Sequence, residues 1–196
     1  MRVLFVTVAP SGQCSLGYAI GVLNFQMSVR AAPHLTVDLD VAPSLQAAIA
    51  KARSGTYDAL VAIHSNIAFS PSLVLRGLTN AECPFVVGVY PHPSIDWKRV
   101  TLDRGSAGED LKFKGNTYNL DPTQARMVRG GYLATKYADL GVVVLRDDAL
   151  ANVSGSTDKD VCASWGRDIY ADLDNPCSLT GQVEFTGCVG MRSILR

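Results

Sequence analysis

The stretch Tyr57–Pro71 reads YDALVAIHSNIAFSP, and it decides the fold class more than any other part of the chain. Its apolar run Ala59–Ile63 shows no polar alternation, as expected of a strand that is buried on both faces. Polar residues follow at once, and Ser70-Pro71 suits the cap and first position of a helix. A buried strand, a polar turn and a helix in this order predict one unit of an α/β protein.

The same alternation of strand and helix signals repeats on both sides of this stretch. The predicted strands are Val3–Val8, Val37–Val41, Ala59–Ile63 and Phe85–Tyr90. Helices are predicted over residues 16–31, 45–53 and 71–78. In the first helix the helical spacing of apolar residues is carried by Leu16, Ile20, Leu23, Met27 and Ala31. The predicted architecture is a central, mainly parallel sheet with helices on both faces.

The second half of the chain is less regular. Asp103–Asn116 is polar and contains glycine, which indicates a loop or a small hairpin. Gly141–Leu145 is strand-like, and a capped helix is expected to begin near Ser156 or Thr157. Open α/β sheets bind ligands beyond the carboxyl ends of their strands. We therefore expect an activated donor at the strand ends, with an acceptor side built by the later segments.

Length and composition limit the classes of protein to which this chain can belong. A chain of 196 residues suits one domain, and 47% hydrophobic with 18% charged residues excludes a disordered or coiled-coil class. The chain has 18 basic residues (Lys and Arg) and 18 acidic residues (Asp and Glu), so its formal net charge is zero. A general electrostatic attraction to nucleic acid or to anionic lipid is therefore not expected. We predict neither a nucleic-acid nor a membrane partner, and no stretch is long and apolar enough for a transmembrane helix.

The cysteines and the start of the chain indicate the compartment. Five cysteines occur at spacings that match no zinc or redox pattern, which predicts reduced thiols in a cytoplasmic protein. The opening run Met1–Val8 stops at Pro10 without a clear cleavage site. It is interpreted as a first buried strand rather than a signal peptide.

Candidate site residues follow the third predicted strand. His64, Ser65 and Asn66 come directly after Ala59–Ile63. His64 and Asn66 are two residues apart, so their side chains share one direction if the strand continues. The alternative for this segment is an ordinary hydrogen-bonded loop.

A second candidate cluster, YPHPSIDW at residues 90–97, follows the fourth predicted strand. Two prolines hold its path rigid, and Tyr90 and Trp97 could stack on a base or a sugar ring, with Asp96 between them. The alternative is a structural turn around a buried tryptophan.

Two further patterns are weak. Gly12, Gly17 and Gly21 superficially resemble a phosphate loop, but both standard fingerprints fail. They predict turn glycines and a helix-packing glycine, although the turn's amides could still contact a nucleotide. Asp172 and Asp174 form an isolated Asp-x-Asp pair that lacks the other ligands of a calcium loop.

Several segments, in chain order, resemble the short glycosyltransferases of the GT-A fold, which are related to glycosyltransferase family two and occur in bacteria, phages and large viruses. The similar segments are Tyr57–Ile63 with Ile67–Phe69, Val87–Pro91 with Ile95–Trp97, Tyr118–Leu120, Ser156–Asp158 with Cys162 and Trp165, and Leu173–Pro176 with Gly181 and Glu184–Gly187. The most specific is GVYP followed by IDW. The resemblance implies a single GT-A-like (Rossmann-like) domain over residues 1–196.

The resemblance also implies an activity, transfer of a sugar from a nucleotide diphosphate sugar to an acceptor. In such enzymes an Asp-x-Asp pair and a later His hold a divalent cation that neutralises the leaving diphosphate, and an Asp acts as general base in inverting members. Here it implies a nucleotide-sugar-binding half over 1–100 and an acceptor-side half over 101–196. Asp158 takes the place of the base. The expected substrate-binding residues are Ser65, Asn66, Tyr90, Asp96 and Trp97.

The chain departs from the family at the metal ligands. His64 and Asn66 stand in place of the two aspartates, Leu179 in place of the histidine, and Thr157 in place of a glutamate before Asp158. Magnesium-like cations prefer anionic oxygen ligands, so we expect no bound metal and no other cofactor.

Two functional hypotheses follow. The favoured one is a degenerate domain, a pseudoenzyme that binds a nucleotide sugar, a glycan or protein partners, for instance within a virion or another complex. It is favoured because electrostatic stabilisation of the leaving group usually makes the largest single contribution to catalysis. The chain lacks the ligands of the cation that provides this stabilisation in the family. The alternative is an active transferase with little metal dependence, in which His64 carries positive charge at the diphosphate and Asp158 is the base. A flavodoxin-like or Rossmann binding domain is a third possibility.

Overall fold

The computed structural model describes residues 1–95 and 116–179. Its strands are β1 (Arg2–Val8), β2 (Thr36–Ala42), β3 (Ala59–His64), β4 (Ile67–Ala68), β5 (Phe85–Gly88), β6 (Pro91–Ile95), β7 (Asn116–Tyr118), β8 (Arg126–Val128), β9 (Tyr132–Thr135), β10 (Val142–Arg146), β11 (Ile169–Asp172) and β12 (Ser178–Leu179). Its helices are α1 (Leu16–Arg30), α2 (Leu45–Ser54), α3 (Pro71–Thr79), α4 (Asp147–Asn152) and α5 (Asp158–Trp165), with a 3₁₀ turn at Pro122–Gln124.

A twisted central sheet organises the described residues. Eight strands lie in the order β2-β1-β3-β10-β5-β11-β9-β8. β1 pairs in parallel with β2 and β3, and β5 pairs in parallel with β11, whereas β10 and β9 run antiparallel to their neighbours. Six strands consequently share one direction, namely β1, β2, β3, β5, β8 and β11. The four predicted strands are all present, and Ala59–Ile63 lies inside the sheet rather than at an edge.

Helices cover both faces of this sheet, as predicted. On one face α1 and α3 bury Tyr18, Phe25 and Leu73 in a core cluster with residues of β1 and β3. On the other face α2, α4 and α5 contribute to a second cluster, which includes Ile49 and Trp165. The predicted α/β class is therefore confirmed. No helix in the described part of the chain is long and apolar enough to cross a membrane.

Local sequence explains where the helices begin. Ser15 and Ser44 cap α1 and α2 by accepting backbone N–H groups of Tyr18 and Ala47. The predicted capped helix near Thr157 is α5, whose first turn is closed by a capping box between Thr157 and Asp160. Thr157 thus has a structural role at the position where the similar family has a glutamate.

Helix α1 is present as predicted, but its apolar spacing does not mark the buried side. Leu16, Ile20, Leu23 and Met27 are exposed, whereas Tyr18, Gly21 and Phe25 are buried. A Cβ atom added to Gly21 would lie 2.8 Å from a ring carbon of Phe69. The missing side chain lets α1 approach the rest of the core on its glycine side, which turns the apolar row outward.

The fourth predicted strand ends earlier than expected. β5 stops at Gly88, and the side chain of Asn119 donates to the Gly88 carbonyl oxygen and accepts the Tyr90 N–H group. A side chain thus replaces a neighbouring strand at this point. The Gly141–Leu145 prediction corresponds to β10, which is antiparallel to β3 and β5.

Candidate functional site

The carboxyl ends of β1, β3 and β5 lie along one edge of the sheet. Because β10 runs in the opposite direction, its beginning lies at this edge too, where the His64 N–H group donates to the Gly141 carbonyl oxygen at 2.8 Å. The N-terminus of α5 reaches the same place, since Asp158 Oδ2 accepts the Leu140 N–H group at 2.8 Å. This edge of the sheet is the candidate site.

Ser65 joins the turn after β1 to the end of β3. Its N–H group donates to Val8 at 3.0 Å, and its carbonyl oxygen accepts the Ser15 N–H group at 2.8 Å. Ser65 is also buried. Its backbone therefore holds the site together, and its predicted contact with a substrate stays a prediction.

His64 and Asp158 lie within electrostatic reach of each other. Burial lowers the pKa of the half-buried His64 imidazole, and the Asp158 charge opposes that effect. The net direction is downward, so the neutral imidazole is favoured at neutral pH. The carboxylate of Asp158 already ties α5 to the backbone before β10. The two candidate catalytic residues are thus neighbours, but their roles stay predictions.

The positions at which the resemblance expects metal ligands also lie close together. Asn66 is exposed in the turn between β3 and β4, and Leu179 of β12 is the register partner of Ile67. His64 ends β3 just before that turn. The set consists of a neutral imidazole, an amide and an aliphatic side chain, which does not fit a magnesium-like cation. In residues 1–95 and 116–179, no three His, Cys, Asp or Glu side chains form a group that could hold a metal ion.

Tyr90 lies at the same edge with its ring buried. Its hydroxyl oxygen accepts the Gly141 N–H group at 3.2 Å, and its ring meets the His92 ring edge-on at a centroid distance of 6.2 Å. Burial raises the pKa of the Tyr90 hydroxyl. The ring thus packs within the protein, and stacking of Tyr90 on a base or sugar stays a prediction. Asp96 and Trp97 lie outside the described residues.

A cleft of about 350 Å³ opens next to Tyr90 and the segment before β10. Its lining residues are His92, Thr117, Tyr118, Asn119, Leu120, Asp121, Tyr137 and Asp139. His92 Nε2 lies 3.1 Å from Asp139 Oδ2, and the Tyr137 hydroxyl donates to Asp139 Oδ1. The pKa of the Tyr137 hydroxyl is raised by this hydrogen bond, and burial and the Asp158 charge act in the same direction. The wall is rich in groups that hydrogen-bond to hydroxyls.

Sequence reasoning missed most of this cleft. Tyr118–Leu120 carried a signal as part of the family resemblance, and His92 lies within the candidate cluster at residues 90–97. Tyr137 and Asp139 come from an irregular segment before β10, and no periodicity marks such a segment. The buried Asn119 brings the parts together, because its amide nitrogen donates to the carbonyl oxygens of Gly88 and Asp139 at 3.0 and 3.1 Å.

The weak patterns in the sequence have structural explanations. Gly12 is a turn residue with φ of +70° and Gly21 packs against Phe69, as predicted. Gly17, predicted to belong to the turn, lies in α1 and packs against Ala68. The buried carboxylate of Asp172 pairs with Arg76 at 2.9 Å. Burial raises the pKa of Asp172, although a hydrogen bond from Asn175 and the charge of Arg76 oppose this.

Comparisons with known proteins find likenesses among solved structures alone. The sequence matches no protein-family model. It also matches no curated protein. Among solved structures, A197 from STIV is similar with a TM-score of 0.47 and 12% identity over 87% of this chain and 81% of that chain.

Two further structures are similar at 9% identity. The inositol-1-phosphate CTP transferase from T. maritima has a TM-score of 0.44 over 98% of this chain and 95% of that chain. A UDP-glucose pyrophosphorylase complexed with UDP-glucose has a TM-score of 0.43 over 87% and 89%. At these scores the likenesses carry no argument about chemistry, which must come from this chain's own residues.

Proposed function

We propose that this protein is a glycosyltransferase-like binding domain that takes a nucleotide sugar or a glycan at the carboxyl edge of its sheet and has lost metal-dependent catalysis. The supporting observation is the composition of the place where the similar family holds its cation. His64 and Asn66 flank the turn after β3, Leu179 is the register partner of the neighbouring Ile67, and burial lowers the pKa of His64. These three side chains therefore offer neither negative charge for a metal nor fixed positive charge for a diphosphate.

The neighbouring cleft supports a sugar as the ligand. Asp139 pairs with His92 and accepts the Tyr137 hydroxyl, so acidic, aromatic and imidazole groups line one wall. Such groups bind sugar hydroxyls through directed hydrogen bonds, and aromatic rings pack on the apolar face of a sugar. Binding of this kind needs no cation. The domain would act in the cytoplasm or as part of a virion, with protein partners in an assembly.

One observation favours the alternative, an active transferase with little metal dependence. The Asp158 charge raises the pKa of His64 against the effect of burial. Binding of an anionic diphosphate beside His64 would act in the same direction and would favour the imidazolium form. In that case His64 would stabilise the leaving group and Asp158 would take the acceptor's proton.

Calorimetry with a panel of nucleotides, nucleotide sugars and short glycans tests the binding proposal. Each titration is run with manganese and again with EDTA. We expect at least one ligand to bind equally well under both conditions. Asp139→Asn should weaken binding by about tenfold, the equivalent of about 1.4 kcal/mol, because it removes the charged partner of His92.

Asp148→Asn is the matched control, because it neutralises an exposed aspartate of α4 that pairs with Arg167 rather than with the cleft. This variant should bind like the unmodified protein. Binding that needs manganese would contradict the proposal. So would a failure of the whole panel to bind.

A further inference from the structure

Helix α1 presents an apolar surface to solvent that the candidate site does not use. Leu16, Ile20, Leu23 and Met27 line its outer side, and Leu39 and Val41 of the edge strand β2 add to it. These six side chains, here called the α1–β2 surface, are between 48% and 78% exposed.

The two parts of the α1–β2 surface are continuous. One groove of about 340 Å³ runs along the helix, and another of about 260 Å³ lies between the helix and β2. Gln26 and Arg30 line both grooves. At these fractional exposures the six side chains leave on the order of 600 Å² of apolar surface exposed. This area lies at the upper end of the range found for the largest apolar patch on a typical monomeric protein.

The α1–β2 surface carries almost no charge. Arg30 is the only charged residue of α1. The acidic residues of β2, Asp38 and Asp40, pair with Arg2 and Lys51 of the same chain. A helix that binds anionic lipid carries several basic residues on its polar face, which α1 lacks.

Strand β2 also differs from the strand at the other end of the sheet. β8 has three residues, and its Arg126 pairs with Asp168. Short edge strands with charged side chains resist pairing with a strand of another chain. β2 has seven residues, and no other strand of the described chain pairs with its outer side. A long edge strand beside an apolar helix is suited to contact with another polypeptide.

We propose that a second copy of this chain covers the α1–β2 surface in a symmetric dimer. The six apolar side chains carry no charge, so Arg30 is the one charged side chain of α1 that a twofold copy would have to accommodate. A chain of zero net charge adds no long-range repulsion between the two copies. The exposed apolar area approaches the roughly 800 Å² that each partner contributes to a standard interface. The proposal is independent of the ligand that the carboxyl edge binds.

Sedimentation velocity on the full chain, from about 1 to about 100 μM, tests the proposal. We expect a dimer at the upper concentrations and dissociation on dilution. Met27→Glu should weaken dimerisation by at least about tenfold, because it buries an unpaired charge within the surface. Leu39→Lys provides a second variant, on the strand side of the surface.

Met127→Glu is the matched control, since Met127 is a similarly exposed methionine on the opposite edge strand β8. This variant should dimerise like the unmodified protein, and circular dichroism should show that all variants are folded. A protein that stays monomeric throughout, including one that binds lipid vesicles instead, would overturn the proposal. Equal loss of dimer in Met27→Glu and Met127→Glu would overturn it as well.

Discussion

His64 is the residue on which the functional argument depends, and its burial has a consequence for stability. The folded state lowers the pKa of His64, so between that value and the ordinary histidine value the unfolded chain binds more protons than the folded one. The contribution of His64 to the free energy of unfolding therefore rises with pH in this window. Above the ordinary pKa of histidine it no longer changes with pH.

We expect His64→Gln to remove this part of the pH dependence. Urea unfolding at about pH 5 and about pH 8 should show that the unmodified protein loses more stability on acidification than the variant does. His34→Gln, at an exposed position, should retain the loss that His64 causes. If His64→Gln lost as much stability on acidification as the unmodified protein does, burial would not favour the neutral imidazole.

At the scale of single elements, α1 depends on the absence of a side chain at Gly21. A Cβ atom there would lie 2.8 Å from Phe69 and 3.0 Å from its carbonyl oxygen. We expect Gly21→Ala to lower the free energy of unfolding by about 1–3 kcal/mol, despite the higher helix propensity of alanine. Asn24→Ala, an exposed change in the same helix, should be neutral or slightly stabilising. Chemical denaturation of the two variants distinguishes these effects.

The pairing of β12 with β4 makes it possible to build a metal site. Leu179 lies opposite Ile67, next to Asn66 and the end of β3. His64→Asp, Asn66→Asp and Leu179→His together should create binding of manganese in the micromolar to millimolar range, because two carboxylates and an imidazole suit that ion. Calorimetry with manganese measures it, and His64→Asn with Asn66→Gln is the uncharged control. A folded triple variant without manganese binding would show that these positions do not converge.

At the scale of the whole molecule, buried strands were the part of the fold that could be predicted from sequence. Val3–Val8 and Ala59–Ile63 are long apolar runs, and such runs require a sheet that is covered on both faces. The shorter strands β8, β9 and β11 carry three or four residues each and have no comparable pattern. The direction of β10 depends on long-range pairing, which local sequence does not encode.

The site was predictable to a similar extent. Residues directly after strands, such as His64 and Tyr90, could be placed at the carboxyl edge from topology alone. Asp139 and Tyr137 could not, since an irregular segment and the buried amide of Asn119 position them. Helical spacing likewise indicated α1 but not its buried side, because Tyr18, Gly21 and Phe25 meet the core and the apolar row does not.

The central claim is that the carboxyl edge binds its ligand without catalysing transfer, and a turnover assay tests it most directly. The purified protein is incubated with nucleotide sugars, with and without an acceptor, in manganese and in EDTA, and release of the nucleotide is measured. We expect no release above background under any of these conditions, and no change in Asp158→Asn.

Release of nucleotide that Asp158→Asn abolishes, in a variant that stays folded, would contradict the account. The rate should then fall as pH rises through the pKa of His64, because the imidazolium form would be the one that stabilises the leaving diphosphate.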